Sequence, residues 1–243
     1  MTLKKPPFRL VMGRNCVEEL LAAAPERVVH LYISQGNIFD IPIDIRKEIP
    51  VKITSKQELS RLVDSESHQG IVAAVKERSV KSLKDFLTQE RDKGLVVMLD
   101  SIFDPQNFGA ILRACECLGA DGVIYSKNRG VDITPVVSKA SVGASELVDL
   151  YKVSNLATSL QQLQDAGFEA VAAEAKKGSV SLQSFNFSTK TVLVLGSEGK
   201  GIQPLISGKC DSHVMIPMLG RIDSLNVSQA AAVFLSAYRL NYK

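Results

Sequence analysis

Thr191-Val192-Leu193-Val194-Leu195-Gly196-Ser197-Glu198-Gly199-Lys200-Gly201 is the stretch whose reading decides the fold. Five strand-forming residues read as a buried strand, and the glycines after them read as a loop. A second strand, His213-Val214-Met215-Ile216-Pro217, runs into Met218 and then into Ser224-Leu225-Asn226-Val227-Ser228-Gln229-Ala230. A third, Leu95-Val96-Val97-Met98-Leu99, is bounded by Asp100. It leads to Asp104-Pro105-Gln106-Asn107-Phe108-Gly109-Ala110-Ile111-Leu112-Arg113-Ala114. Each strand thus ends in small and polar residues. In open α/β sheets, ligands bind in the crevice at the carboxyl ends of the strands. The pattern predicts that these loops share one ligand pocket.

Outward from this stretch, the pattern alternates. Strands are predicted at 95–99, 122–126, 147–152, 169–173, 191–195 and 213–217. Helices are predicted at 106–118, 134–143, 155–166, 203–208 and 226–240. That alternation argues an α/β fold with a parallel sheet covered by helices. Residues 8–76 read as a separate small α/β unit. It has strands at 8–12, 28–34 and 70–75, a helix after Gly13 with Val17, Leu20 and Leu21 on one face, and a helix at 57–63. Residues 76–82 are polar and without apolar periodicity. The expected organisation is a domain at 1–76, a linker at 77–81 and a second domain at 82–243. Leu83, Phe86 and Leu87 open the second domain with an amphipathic helix.

Composition bounds the function. The 243 residues are 45% hydrophobic, enough for a proper core. No apolar run approaches the ~18 residues that span a bilayer, and no apolar segment follows the charged N-terminus, so a soluble cytoplasmic protein is expected. The four cysteines lack a C-x-x-C pair and the three histidines are scattered, so neither disulfide nor metal is expected. The formal net charge is +3. Residues 1–93 carry 16 Lys+Arg against 13 Asp+Glu, and the remainder carries 13 of each. Lys4, Lys5, Arg9 and Arg14 make a basic arm suited to phosphate, or simply a solvated terminus. The order G-x-x-G-x-G at 196–201 is not a dinucleotide fingerprint, and Gly199-Lys200 is followed by glycine rather than Ser or Thr, so it is not a P-loop.

Together the three motifs resemble those of the SpoU/TrmH (SPOUT) methyltransferases: N-x-G-x-x-x-R at 107–113, G-S-E-G-x-G at 196–201, and I-P-M with S-L-N-V-S-x-A at 216–230. The similarity covers residues 95–243. His68-Gln69-Gly70-Ile71-Val72-Ala73 also resembles the end of the small RNA-binding domain of the RlmB-type branch, which modifies a guanosine of large-subunit ribosomal RNA. The resemblance implies a trefoil-knotted methyltransferase domain behind a small domain akin to a ribosomal-protein fold. It further implies S-adenosylmethionine as cofactor, an RNA ribose 2′-hydroxyl as acceptor, and a homodimer built partly on the last helix. Periodicity alone does not show a knot.

Ribose methylation needs the donor held, the hydroxyl aligned and the developing alkoxide stabilised; alignment alone supplies several kcal/mol. Gly196, Gly199 and Gly201 permit close backbone approach and positive φ. Leu195, Ile216, Met218 and Leu225 offer apolar walls for an adenine. These seven are the expected cofactor residues. Arg113 is the leading catalytic residue by resemblance. A guanidinium is a poor base, so its expected role is to stabilise the alkoxide. Asn107 suits orientation of Arg113 or of the ribose, or a helix N-cap. Glu198, Ser224 and Asn226 complete the expected site, with a cap explaining at least one of the last two. Phe108 and Asp223 depart from commoner family residues. The same motifs leave open a transfer-RNA target or a non-catalytic RNA-binding assembly factor; a nicotinamide dehydrogenase is disfavoured by the missing fingerprint.

Overall fold

The computed structural model describes residues 8–37, 48–78 and 81–242. Lys4 and Lys5 of the basic arm, and two of the five expected linker residues, lie outside these. The chain divides into two compact units: residues 1–79 with 132–147, and residues 80–131 with 148–243.

The first unit holds a four-stranded sheet in the order β1-β4-β2-β3: β1 (Arg9–Met12), β2 (Val28–Ser34), β3 (Val51–Thr54) and β4 (Ile71–Val75). β4 runs antiparallel to both its neighbours, and β2 pairs parallel with β3. Side chains alternate across the pleat. Ile71, Ala73 and Val75 pack with Cys16, Val17 and Leu20 of the Arg14–Ala23 helix. Val72 and Ala74 pack with Leu59, Leu62 and Val63 of the Lys56–Val63 helix. A capping box starts that second helix: Ser55 Oγ accepts from Glu58 N, and the Glu58 carboxylate accepts from Ser55 N. β3 was not expected. It is short and its Val51 and Ile53 are exposed, so it lacks the buried alternation that marks a strand.

The expected helix at 134–143 is the shorter Pro135–Ala140; a second short helix, Ala144–Leu147, follows it, and both group with this first unit. Glu146 anchors the segment. Its carboxylate is fully buried and accepts from Arg9 Nη2 at 2.5 Å and Arg27 Nη1 at 2.9 Å. Burial pushes this carboxyl upward, but the two guanidiniums outweigh it and hold it below the usual carboxylate value.

The second unit holds seven strands, all parallel, in the order β7-β6-β5-β10-β8-β11-β9. They are β5 (Gly94–Asp100), β6 (Gly122–Ser126), β7 (Leu150–Val153), β8 (Glu169–Ala173), β9 (Val180–Ser181), β10 (Lys190–Gly196) and β11 (Ser212–Met215). β5 is buried along its whole length, as a central parallel strand must be. Helices Pro105–Cys117, Leu156–Asp165 and Val227–Asn241 supply the covering layers. β11 ends at Met215, so Ile216 and Pro217 belong to the following loop rather than to the strand. β9, two residues long, carries too little pattern to be read from sequence.

Among the described residues no helix is long and apolar enough to cross a membrane.

Candidate active site

The three motif loops leave the same end of the parallel sheet. Gly196 at the end of β10 lies in register with Asp100 at the end of β5. β8 separates β10 from β11, yet the loops after β10 and β11 are joined by side chains. Asn226 Nδ2 donates to Glu198 Oε1 at 2.6 Å and to Asn107 Oδ1 at 2.9 Å. Asn107 Nδ2 donates to the same Glu198 oxygen at 3.0 Å. One residue from each motif therefore meets at one point. A carboxylate accepting from two amides is a stronger acceptor than a neutral oxygen.

Local structure explains each position. Asp104 caps the Pro105–Cys117 helix, its carboxylate accepting from Gln106 N at 2.9 Å. Asn107 is therefore not the cap, and its buried amide is left for Glu198 and Asn226. Asn226 caps the last helix, with Oδ1 accepting from Ser228 N at 2.8 Å. The same side chain thus starts a helix and bridges two loops. Ser224 is exposed and donates to Asp223 Oδ1 at 3.2 Å.

The glycine loop closes on itself. Ser197 N donates to Gly201 O at 3.1 Å, and Gly201 N to Ser197 O at 2.9 Å. Gly199 and Gly201 have φ of +78° and +65°, where a Cβ is disfavoured. At Gly196 the expected close backbone approach is found, and the expectation of positive φ is corrected. A Cβ on Gly196 would lie 2.2 Å from the Gly201 carbonyl carbon and from Ile202 N. The loop folds back onto β10 only because no side chain intervenes.

Asp100, read from sequence only as a strand boundary, anchors the loop. Fully buried, it accepts from Gln203 N at 2.7 Å and from Gln203 Nε2 at 2.8 Å. Arg129 also donates to Gln203 Oε1. An acid closing an apolar strand was the signal that could have pointed to it.

Leu195 is buried within the sheet, 1% exposed, so it offers the loop its backbone rather than an apolar wall. Ile216 and Met218 are half-buried and Leu225 is 39% exposed. Leu219 and Ile222 of the same loop stand further out. Arg113 is exposed on the Pro105–Cys117 helix, and among the described residues it makes no hydrogen bond or ion pair. It does not join the Asn107–Glu198–Asn226 cluster. Phe108 is buried against the Tyr125 ring, with centroids 5.3 Å apart.

No described group of His, Cys, Asp and Glu could hold a metal ion. The cysteines are free: Cys16 and Cys115 are buried, Cys210 is partly so, and Cys117 is exposed. Burial pushes the Cys16 thiol up to about 11 and the Cys210 thiol up to about 12, values that keep both as inert thiols near neutral pH.

Residues 94–236 match the SpoU rRNA Methylase family, and residues 10–80 match the RNA 2′-O ribose methyltransferase substrate binding family. The chain is 34% identical to the 23S rRNA (guanosine-2′-O-)-methyltransferase RlmB of Shewanella oneidensis, with 93% of this chain and 94% of that protein covered. The structure of an AdoMet-bound rRNA methyltransferase from Sinorhizobium meliloti superimposes with a TM-score of 0.79 at 22% identity, covering 97% of this chain and 88% of that one. A TrmH/SpoU tRNA modifying enzyme of A. aeolicus, at 30% identity and a TM-score of 0.56, covers 65% of this chain and 83% of its own. With motif residues of all three loops gathered at one end of the sheet, and the family match spanning that sheet, the chain belongs to the SpoU rRNA methylase family.

Proposed function

We propose that this protein transfers a methyl group from S-adenosylmethionine to a ribose 2′-hydroxyl of RNA, at a guanosine of large-subunit ribosomal RNA. The observation that carries the reading is the meeting of Asn107, Glu198 and Asn226, one residue from each motif, beside the glycine loop. The ribosomal target rests on two further points. The chain matches a substrate-binding family at residues 10–80, and the transfer-RNA neighbour leaves about a third of this chain unmatched.

The residues present fit the cofactor. Gly199 and Gly201 present backbone without a Cβ, and the half-buried Ile216 and Met218, with Leu225, lie on the second loop tied to theirs. Gly196, Gly199, Gly201 and the backbone of Leu195 would hold the cofactor against these apolar side chains. When bound, S-adenosylmethionine supplies an electrophilic methyl on a sulfonium. Glu198 and Asn226 fix the spacing of the two loops. Asn107 extends that brace to the helix carrying Arg113, so the guanidinium moves with the loops. The Arg113 guanidinium stabilises the ribose oxygen as it loses its proton to water. Ser224, exposed beside Asn226, contacts the RNA.

The protein acts as a homodimer. Val233 and Leu240 of the last helix, with Leu219 and Ile222, are exposed large apolar side chains on this unit. Large apolar side chains left exposed in this way suit a protein–protein interface. The cytoplasm, where ribosomal RNA is met, is its proposed location.

Incubation with radiolabelled S-adenosylmethionine and unmodified large-subunit ribosomal RNA, with transfer RNA in parallel, tests the reading. Ribose methylation mapped to one guanosine of the ribosomal RNA is the expected result. Labelling of transfer RNA alone, or of neither, overturns it.

A further inference from the structure

One exposed ring in the first motif loop has no part in the brace or in the apolar walls for the cofactor. Phe103 lies between β5 and the Pro105–Cys117 helix, four residues before Asn107, and is 64% exposed. Among the described residues every other Phe and Tyr is buried or half-buried. A single exposed apolar side chain is ordinary on a protein surface. What sets Phe103 apart is how firmly the chain is held on both sides of it.

The turn begins at Ser101, whose φ is +62°. A non-glycine residue in this left-handed region is strained and persists only where its surroundings over-determine it. Here Ser101 Oγ donates to Asp100 Oδ1 at 2.9 Å and accepts from Gln203 Nε2 at 2.9 Å. The next residue, Ile102, is buried, and its carbonyl accepts from Val131 N at 2.9 Å. Gly130 lets the 127–131 loop come this close: a Cβ on it would lie 2.9 Å from the same carbonyl oxygen. On the other side of Phe103, Asp104 is fixed as the helix cap. Both neighbours of Phe103 are thus pinned while its ring is left to solvent. A ring presented on a pre-organised loop loses little freedom when a partner covers it.

The segments tied to this loop are basic. The 127–131 loop carries the exposed Lys127 and Arg129, and Arg129 donates to the same Gln203 whose amide reaches Ser101. The helix that follows carries the exposed Arg113. Asp104 is exposed too, but its carboxylate is committed to Gln106 N. An apolar protein partner would call for further apolar side chains around the ring, and Asp104, Lys127 and Arg129 supply none. An aromatic face among cations suits single-stranded nucleic acid, because every base has a π-face to stack and the cations meet phosphate. We propose that Phe103 is a substrate-binding residue whose ring stacks on one unpaired base of the RNA at the acceptor site. The proposal rests on the RNA-methyltransferase reading for its choice of partner. It places a base contact on the methyltransferase unit itself, apart from the substrate-binding match at residues 10–80.

The sequence contains no tryptophan, so Phe103→Trp gives the full chain a single indole at the proposed contact. Titration with unmodified large-subunit ribosomal RNA, without cofactor, should quench its fluorescence as a base stacks on it. Heparin, a polyanion without bases, should not. Loss of one base–aromatic stack predicts that Phe103→Ala weakens RNA binding about 5- to 140-fold, with melting temperature and S-adenosylmethionine affinity unchanged. Phe103→Tyr should bind RNA as the wild type does; Phe103→Leu, apolar but without a ring, should not. A merely structural Phe103 would lower the melting temperature of Phe103→Ala and spare its RNA affinity. Wild-type RNA affinity in Phe103→Ala, full rescue by leucine, or quenching that heparin reproduces each overturns the proposal. So does indole fluorescence that responds to dilution of the protein and not to RNA, which would assign the ring to a contact between copies of this chain. Methyl transfer by the wild type with no quenching in Phe103→Trp would sink this proposal alone. Quenching by RNA while no RNA is methylated would sink the enzymatic reading and leave the contact standing.

Discussion

Replacing Gly196 by alanine should damage cofactor binding far more than the added volume of a methyl suggests. The new Cβ would meet the Gly201 carbonyl carbon and Ile202 N at 2.2 Å and Gly201 O at 2.4 Å. Ordinary carbon contacts lie at about 3.5–4.0 Å, so the backbone at 201–202 must retreat by more than about 1 Å. That movement breaks the two hydrogen bonds closing the loop, Ser197 N to Gly201 O and Gly201 N to Ser197 O. At a net ~0.5–1.5 kcal/mol each, holding the binding-competent loop then costs about 1–3 kcal/mol. At 1.4 kcal/mol per tenfold, the dissociation constant for S-adenosylmethionine should rise roughly 5- to 140-fold. Titration calorimetry measures it. Gly178→Ala is the control: its φ is positive, +92°, with open space around it and no place in the motif loops. It should shift melting temperature and leave cofactor affinity unchanged. Wild-type affinity in Gly196→Ala, or equal losses in the two variants, would refute the assignment of the 196–201 loop to the cofactor.

Arg113→Ala should lower methyl transfer by roughly 10²–10³ with cofactor affinity intact, the loss expected for one oxyanion-type donor; Arg113→Lys should not fully rescue, because a point charge lacks the planar fork. Wild-type turnover in either variant would move that role elsewhere. Glu146→Ala strands two partly buried guanidiniums and should destabilise the protein by about 3–5 kcal/mol in urea denaturation, without altering calorimetric cofactor affinity. Stability should also fall on acidification: Arg9 and Arg27 hold the Glu146 carboxyl low against its burial, so its contribution is complete above the unfolded glutamate value of about 4.3 and disappears as pH drops through the folded value. An unchanged denaturation midpoint from pH 6 down to about 3 would contradict this. Light scattering should give a dimer at micromolar concentration, and a 26.4 kDa species alone would refute the interface on the last helix.

What the sequence reveals and what it hides follow from how far apart the interacting residues lie. The β5, β10 and β8 strands are legible because a parallel strand buried on both faces must be a continuous apolar run, a property of adjacent residues. Asn226 as a helix cap is legible for the same reason, since its partner Ser228 is two residues away. The brace among Asn107, Glu198 and Asn226 spans separations of 28 to 119 residues, and without the family resemblance nothing local marks any of them as more than a cap or a surface acid. Gly196 shows the intermediate case. Its identity and the need for close backbone approach are plain in the sequence, but not that the approaching backbone is that of a residue five positions on, nor that its φ is not positive. Glu146 and Ser34 are the least legible. A serine at a strand end and a glutamate in a short helix are commonplace; only burial makes one an unpaired hydroxyl and the other a clamp for two arginines. Local pattern therefore dictates the scaffold, whereas the site is specified by which loop ends the scaffold brings together. That is why substitutions such as Asn107→Ala, conservative by local criteria, should act on the spacing of all three motif loops at once.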